Sequence, residues 1–206
     1  TAERPFGGRL WLDRIADPDC FLISTVQPWG AALDGQFEGG IGFRVEARVE
    51  HIDGEVRCHG LRLHLAGVRE LLLAVDIGTS ARADAPAAEC ARHRLPADGR
   101  SWERLLATHE AVYRRLYGGL ALDVALPAPP AGPTDEWLAA ARQGTDLPHL
   151  AVLYFNLARY LLVATTATGT LPPNLQGKWN EELDPPWNSD YHHDVNLQMN
   201  YWPAEA

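Results

Sequence analysis

The first 80 residues show the alternation of apolar and polar side chains that is typical of β-strands. From residue 41 to residue 50 the alternation is strict, and the apolar set and the polar set are Ile41, Phe43, Val45, Ala47, Val49 and Gly42, Arg44, Glu46, Arg48, Glu50. This period of two predicts a half-solvated strand whose charged side chains face water. The dipeptide Asp53-Gly54 predicts a tight turn after that strand.

A second strand is predicted in residues 68–80, VRELLLAVDIGTS, which form an apolar run near Gly67 and Gly78. A short buried helix is the alternative for this run. Because consecutive strands joined by turns pair antiparallel, residues 1–80 predict an antiparallel sheet that forms half of a sandwich.

Helical spacing begins after residue 100, beyond an irregular connection at residues 81–100 that is rich in alanine, proline and arginine. Ser101 is the candidate N-cap, and Gly118-Gly119 the expected end of the helix. Apolar side chains recur between them at spacings of three and four: Trp102, Leu105, Leu106, His109, Val112, Tyr113 and Leu116.

A proline-rich segment, LPAPPAGPT at residues 126–134, predicts a linker, since no regular element tolerates so many prolines. Thr134 is expected to cap a short helix after it. Asp135 and Glu136 would lie in the first turn of that helix, where negative charge complements the helix dipole.

A longer helix is predicted from about Pro148 to Thr166. It is apolar nearly all round, so we expect it to be buried between other helices. Its polar interruptions, Asn156 and Arg159, are expected to be structural hydrogen-bonding residues or solvent-facing positions.

Composition narrows the function classes. The 206 residues carry a formal net charge of −9, with no Lys/Arg block, which argues against nucleic-acid binding. No apolar run approaches the roughly 18 residues that a membrane span needs. The three cysteines have no metal-ligand spacing, and we expect no metal and no cofactor. The chain lacks an initial Met, and its richest segment runs to the last residue, so we expect an internal fragment.

That segment, residues 171–206, holds three of the seven Trp, five of the six Asn and two adjacent His. Its prolines interrupt regular structure and predict a long ordered loop, and such loops are usually functional. Amide and imidazole groups hydrogen-bond to hydroxyls, while aromatic faces stack on C–H surfaces. A neutral sugar is therefore the expected ligand, and the candidate binding residues are His192, Trp179, Trp187, Asn174, Gln176, Asn200 and Trp202.

Other interpretations of the loop stay open. If its backbone is extended, His192, Asp194 and Asn196 share one face. A metal site at His192, His193 and Asp194 is the alternative, but adjacent histidines on a strand point apart. A loop that is merely well packed is the second alternative.

The motifs LPPNLQGKWN, PPWNSDYHHD and NLQMNYWPAE, in this order, closely resemble the signature of glycoside hydrolase family 95. That family contains inverting α-L-fucosidases, which act mainly on α-1,2-linked fucose, and some α-L-galactosidases. The upstream segment PTDEWLAAARQG and the helix after it resemble the opening of the family's catalytic (α/α)6 barrel.

The resemblance implies a multidomain α and β fold. Residues 1–97 would be the C-terminal part of an N-terminal antiparallel β-sandwich. Residues 98–133 would be a linker helix and a proline-rich connection, and residues 134–206 would be the N-terminal part of a truncated (α/α)6 barrel. The implied location is secreted or periplasmic in a bacterium.

The resemblance also implies catalytic roles. Asn196 matches the residue that positions and polarises the attacking water. Asp194 stands where the family usually has Asn. It would therefore either accept a proton from water directly, as a base, or change the sugar that the site prefers. His192 matches a His that accompanies fucose. The general acid, a Glu, is expected beyond Ala206, so the fragment is expected to be inactive alone.

The resemblance therefore predicts an enzyme fragment that removes α-L-fucose from a fucosylated oligosaccharide or glycan, with no nucleic-acid or membrane partner. The alternatives are an α-L-galactosidase and a carbohydrate-binding fragment without catalysis. A glycoside phosphorylase is disfavoured, because Lys178 is the only basic Lys or Arg residue after residue 170. No oligomeric state is predicted.

Overall fold

The computed structural model of the chain describes residues 2–81, 85–94, 101–122, 124–167, 169 and 171–204. The chain divides into two compact units, Thr1–Thr108 and His109–Ala206. The boundary predicted between residues 97 and 98 lies outside the described residues, and the one at residue 133 stays a prediction. No helix within the described ranges is long and apolar enough to cross a membrane.

The first unit contains the predicted antiparallel sheet. Its strands are β1 Phe6–Leu10, β2 Cys20–Gln27, β3 Gly30–Phe37, β4 Gly42–His59 and β5 Arg62–Thr79. They form one five-stranded sheet in the order β1-β5-β4-β3-β2, in which every neighbouring pair is antiparallel. Residues 68–79 belong to β5, so the strand interpretation of that run is confirmed and the helix alternative is wrong.

The turn predicted at Asp53-Gly54 is wrong. These residues lie inside β4, at a register shift between Asp53 and Glu55 where the ladder skips Gly54 on β4 and residues 67–69 on β5. Gly54 has a φ of 148° there, and a Cβ would lie 2.9 Å from the Cα of Val68. The chain reverses at Gly60 instead, because a φ of 57° at this residue closes the two-residue turn between His59 and Arg62.

The charged face of β4 is buried, which overturns the prediction that it meets water. Glu46 is 2% exposed and Arg48 is 7% exposed. Arg48 donates from Nη1 to Glu46 at 2.7 Å and from Nη2 to Asp76 on β5 at 2.7 Å. Arg44 donates from Nη1 to Asp34 on β3 at 2.6 and 2.8 Å. These ion pairs compensate for the lost hydration of each charge.

A helix covers this face, where the sequence predicted only an irregular connection. It is α1 Pro86–Arg92, which begins at proline. The side chain of Cys90 in this helix is fully buried. Glu89 Oε2, also in the helix, accepts a hydrogen bond from the Thr79 backbone amide at 2.9 Å. A Cβ on Gly78 would lie 2.2 Å from the Pro86 carbonyl oxygen. Glycine at that position therefore lets α1 approach the sheet closely.

Burial by itself raises the pKa of Glu46. The hydrogen bond from Arg48 and the charges of Arg94, Arg44 and Arg48 outweigh that effect, and they hold the pKa below its ordinary value. The Arg94 guanidinium lies 3.4 Å from the same carboxylate. Glu46 therefore stays ionised in the folded sheet.

The opposite face of the sheet is apolar and partly exposed. Register places Val45 beside Ile77 and Ala47 beside Val75. Ala47 is buried, but Val75 and Ile77 are 56% and 62% exposed. Two exposed β-branched side chains on the same face of one strand are typical of a surface that packs against another layer.

The helices are α2 Trp102–Tyr117, α3 Thr134–Arg142, α4 Pro148–Thr166 and the single turn α5 Gln198–Tyr201. The predictions for α2 and α4 are confirmed, and the Ser101 side chain accepts the Arg104 amide at 3.2 Å as a cap would. Thr134 was wrong as a cap. It is the first helical residue of α3, and the residue before the helix is Pro133.

Arg159 is the one buried residue of α4 and joins it to the end of α2. Its guanidinium donates to the carbonyl oxygens of Tyr117 at 2.8 Å and Leu120 at 2.9 Å, and lies 4.3 Å above the Tyr117 ring. The Tyr117 hydroxyl donates to Asn156 Oδ1 at 3.1 Å. Both residues are therefore structural: Arg159 satisfies the Tyr117 carbonyl that the helix end leaves unpaired, and Asn156 accepts the Tyr117 hydroxyl.

The expected burial of α4 is not found among the described residues. Tyr154 is 75% exposed and Leu157 is 48% exposed. An apolar helix that lacks neighbours on one side cannot bury that side.

We expect Arg159→Met, in the full-length protein, to lower the free energy of unfolding of the segment that contains α2 and α4 by about 2–4 kcal/mol. Methionine keeps the apolar stem but leaves the Tyr117 and Leu120 carbonyls without their donor. Thermal unfolding measures the effect. The matched control is Arg114→Met on α2, whose side chain is 77% exposed. Equal destabilisation by both variants would contradict the capping role.

Candidate functional site

The loop that follows α4 folds back on itself through tight turns. The Leu175 amide donates to the Asp190 carbonyl at 3.1 Å, which joins its two halves. Gly177 has a φ of 60°, and a Cβ there would lie 2.8 Å from Thr165 Cγ2 of α4. Glycine at this position allows the loop to pack directly on α4.

A strained turn forms at residues Pro186–Ser189. Trp187, Asn188 and Ser189 have φ values of 51°, 55° and 50°, a conformation that costs a non-glycine residue roughly 1–2 kcal/mol. Ser189 is buried with its hydroxyl unpaired among the described residues. The Trp187 side chain is 71% exposed. Strain of this kind concentrates at functional sites.

Four of the predicted sugar-binding residues line one cavity of about 250 Å³. They are Asn174, Gln176, Trp179 and Asn200. Its other walls include Leu161, Leu162 and Thr165 of α4, together with Met199 of α5. The cavity therefore combines amides, one indole and an apolar floor, which is the composition expected of a small-molecule site.

The amides in this cavity differ in how they are satisfied. Asn200 Nδ2 donates to the Pro173 carbonyl at 3.5 Å and to the Asn174 carbonyl at 3.4 Å, which holds α5 against the loop. Asn174 Oδ1 accepts a hydrogen bond from the backbone N–H of Gln176 at 3.2 Å. Gln176 Oε1 is buried and has no partner among the described residues. A ligand hydroxyl in the cavity would satisfy this oxygen.

A second group of residues surrounds His192. Its Nε2 lies against Asp190 Oδ1, and its ring centroid is 6.0 Å from that of Trp187. A carboxylate at one ring nitrogen fixes the orientation of the imidazole. Asp190 had not been singled out from the sequence. Its spacing of two residues from His192 is the signal that would have found it.

The proposed catalytic residues lie on a wide turn rather than on a strand. Residues His193–Leu197 form a π-type turn closed by the Leu197 amide on the His192 carbonyl at 3.1 Å. Val195 has a φ of 67° and a ψ of −32°, so the hypothesis that alternate residues share one extended face is wrong.

Within the described residues, no hydrogen-bond partner is found for the side chains of Asp194 and Asn196. Asp194 is exposed and Asn196 is half-buried. Neither residue lines the cavity, and Trp202 is 67% exposed. In the described part of the chain, no group of three His, Cys, Asp or Glu side chains is arranged to hold a metal ion.

Known proteins are similar to parts of this chain. The Aspergillus niger "Probable alpha-fucosidase A" is 37% identical over 107 residues, which cover 52% of this chain and 13% of that protein. The Arabidopsis thaliana "Alpha-L-fucosidase 2" is 34% identical over 122 residues, 57% of this chain and 14% of that protein. The Aspergillus oryzae "Probable alpha-fucosidase A" is 46% identical over 59 residues, 29% of this chain and 8% of that protein.

The chain thus spans only a small part of the length of these relatives. The model of the glycosyl hydrolase family 95 catalytic domain matches residues 101–206. Because these residues make up just over half of the 206, the chain belongs to glycosyl hydrolase family 95.

Proposed function

We propose that this chain is part of an α-L-fucosidase that hydrolyses α-1,2-linked fucose with inversion at the anomeric carbon. The observation that carries the proposal is the cavity against α4, in which Asn174, Gln176, Trp179 and Asn200 meet. The unpaired side-chain oxygen of Gln176 can accept a hydrogen bond from a sugar hydroxyl. The C–H groups of a sugar ring can stack on the face of the Trp179 ring. The similarity to three proteins that are named as fucosidases supports fucose as the sugar.

The catalytic roles are assigned by the match to the family signature. Asn196 positions the water whose oxygen attacks the anomeric carbon, on the face opposite the leaving oxygen. A carboxylic acid from another part of the polypeptide protonates that leaving oxygen, as inverting hydrolysis requires. The half-buried Asn196 amide, with no partner among the described residues, supports this role, since it is free to bind water.

Asp190 and Trp187 support a role for His192 in sugar preference. The Asp190 carboxylate orients the imidazole, so that its other nitrogen presents a single hydrogen-bonding group to a sugar hydroxyl. A site that bonds a particular hydroxyl rejects sugars that lack it. The alternative is an α-L-galactosidase, which a different residue at position 192 would favour.

Asp194 has two interpretations, and Asp194→Asn separates them. If the carboxylate takes a proton from water directly, the variant loses kcat for every sugar alike. If its charge sets the sugar preference, the variant instead changes the ratio of kcat/KM for α-L-fucosides and α-L-galactosides.

We place the sheet in a β-sandwich, α2 in a linker, and α3, α4 and the loop after α4 in an (α/α)6 barrel. The exposed Val75 and Ile77 support a second sheet over the apolar face. The exposed Tyr154 and Leu157 support further helices around α4. Each apolar surface gains stability when another layer removes it from water.

The test uses the full-length protein and a small α-1,2-fucosylated oligosaccharide. Proton NMR during the first turnovers should show β-L-fucose as the first-formed anomer. An α-L-galactoside substrate and an α-1,3-fucoside serve as controls. First appearance of the α anomer would contradict inversion. Sugar binding without any release of fucose would favour the carbohydrate-binding alternative.

A further inference from the structure

The far end of the β4–β5 hairpin gathers positive charge that is scattered along the sequence. Register aligns Arg9 of β1, His64 of β5 and Arg57 of β4 across three strands. His59 pairs with Arg62 in the next position along the hairpin. We call this surface the basic hairpin face, and its residues are Arg9, Trp11, Arg57, His59, Arg62 and His64.

The side chains on this face point to solvent. Arg9, Arg57, His59 and Arg62 are exposed, and His64 is half-buried. The reverse side of the same hairpin carries Leu63, which is fully buried. Because neighbouring strand residues point to opposite sides, the fold uses one side as core and leaves the other to water.

The arginines on this face contribute little to the stability of the fold. Arg57 pairs with Glu55 at 2.8 Å, but both side chains are more than half exposed, and such pairs contribute little stability. Among the described residues, Arg9 and Arg62 have no carboxylate partner. The Arg62 guanidinium lies 5.1 Å from the Trp11 ring centre, a contact that orients the guanidinium and leaves its N–H donors free.

The charge on this face is opposite to that of the chain. Within the described residues, the three arginines of this face make one ion pair, that of Arg57 with Glu55, whereas the whole chain carries a net charge of −9. Strand spacing of about 4.8 Å across the sheet, and about 6.8 Å between alternate residues, spreads these charges over a flat grid. A grid of separated cations fits a polymer with repeated anionic groups better than it fits one small anion.

We propose that the basic hairpin face binds an acidic polysaccharide through sulfate or carboxylate groups. The choice of a polysaccharide rests on the proposed function, since the substrate of a fucosidase is itself part of a glycan. Arginine matches these groups because its planar donors bond two oxygens at once. Single-stranded nucleic acid fits less well, because it needs open aromatic faces and Arg62 covers the Trp11 ring.

The test measures binding of the full-length protein to dextran sulfate, with neutral dextran as the uncharged probe. Wild-type affinity should fall on the order of tenfold between about 50 and 200 mM salt if three arginines engage the polymer. The triple variant Arg9→Gln, Arg57→Gln, Arg62→Gln should bind at least about tenfold more weakly at low salt. Its melting temperature and its hydrolysis of a small neutral fucoside should not change.

A matched control removes three exposed arginines elsewhere, through Arg114→Gln, Arg115→Gln and Arg142→Gln. This control changes the net charge equally and should keep wild-type affinity for dextran sulfate. Equal weakening by both triple variants would mean that net charge alone governs binding, and would overturn the proposal. Tighter binding of an oligothymidine than of dextran sulfate would overturn the polysaccharide assignment.

The two proposals fail separately. Fucoside hydrolysis without dextran sulfate binding would remove the role of the basic hairpin face and leave the enzyme assignment intact. If the triple variant weakens dextran sulfate binding but the protein hydrolyses no fucoside, the binding role of the basic hairpin face would be supported and the fucosidase assignment would be wrong.

Discussion

Asn196→Ala in the full-length protein is expected to lower kcat for α-1,2-fucoside hydrolysis by about 10²- to 10³-fold, the effect of removing one positioned polar group from a transition state. KM should change by less than about threefold, because the amide binds the water rather than the sugar. Steady-state kinetics on the fucosylated oligosaccharide measure both constants, and the melting temperature reports any loss of folding.

The matched control for this prediction is Asn180→Ala. Asn180 lies in the same loop and is exposed, and among the described residues its side chain bonds only to the backbone of Glu182, at 2.9 and 3.1 Å. It should leave kcat within about threefold of wild type. If Asn196→Ala also kept turnover near this level, the water-positioning role would be wrong.

Glu46→Gln is expected to lower the free energy of opening of the sheet by about 3–5 kcal/mol, because it leaves buried guanidinium groups without their carboxylate. Hydrogen exchange of the β3 and β4 amides in the full-length protein measures this free energy locally. The control Glu55→Gln removes an exposed partner of Arg57, with side chains 63% and 78% exposed, and should cost less than about 1 kcal/mol.

The same residue predicts a pH dependence. Folding lowers the pKa of Glu46 below its ordinary value of 4.5. The stabilisation is therefore complete above that ordinary value and is lost as pH falls through the lower folded pKa. Wild-type protection of β4 should fall in acid, and Glu46→Gln should remove this component. Equal acid sensitivity in the variant would show that another carboxylate is responsible.

Local pattern predicted the elements whose signals lie within a few residues. The helix at residues 148–166 was predicted at its observed bounds, because leucine-rich spacing and an initial proline specify a helix locally. Strand structure at residues 41–50 and 68–79 was predicted from local alternation and from an apolar run, and these residues lie in β4 and β5. The turn predicted at Asp53-Gly54 was wrong because a bulge uses the same glycine chemistry as a turn, and only the long pairing of β4 with β5 shows which one forms.

The chemical character of the terminal loop was also evident from its composition. Its amides and aromatics predicted a sugar ligand, and the order of its motifs predicted the family that the catalytic-domain match shows. Its backbone was not predictable, because the strained turn at Trp187 and the left-handed Val195 contradict local preference. Contacts across the loop, such as the one from Leu175 to Asp190, hold these conformations in place.

The sequence by itself therefore determined the elements that have a clear local period, such as α2 and α4, and the family. Tertiary structure alone decided which side of each strand is buried. Alternation identifies two faces of β4 but does not show which one is covered. The helix α1 covers the charged face, which is stable when buried because Arg48 forms ion pairs with Glu46 and Asp76 there. It also assembled the basic hairpin face, since strand pairing brings together Arg9, Arg57 and Arg62, which the sequence keeps apart. Both outcomes depend on long-range register, and register is a property of the paired strands rather than of any one of them.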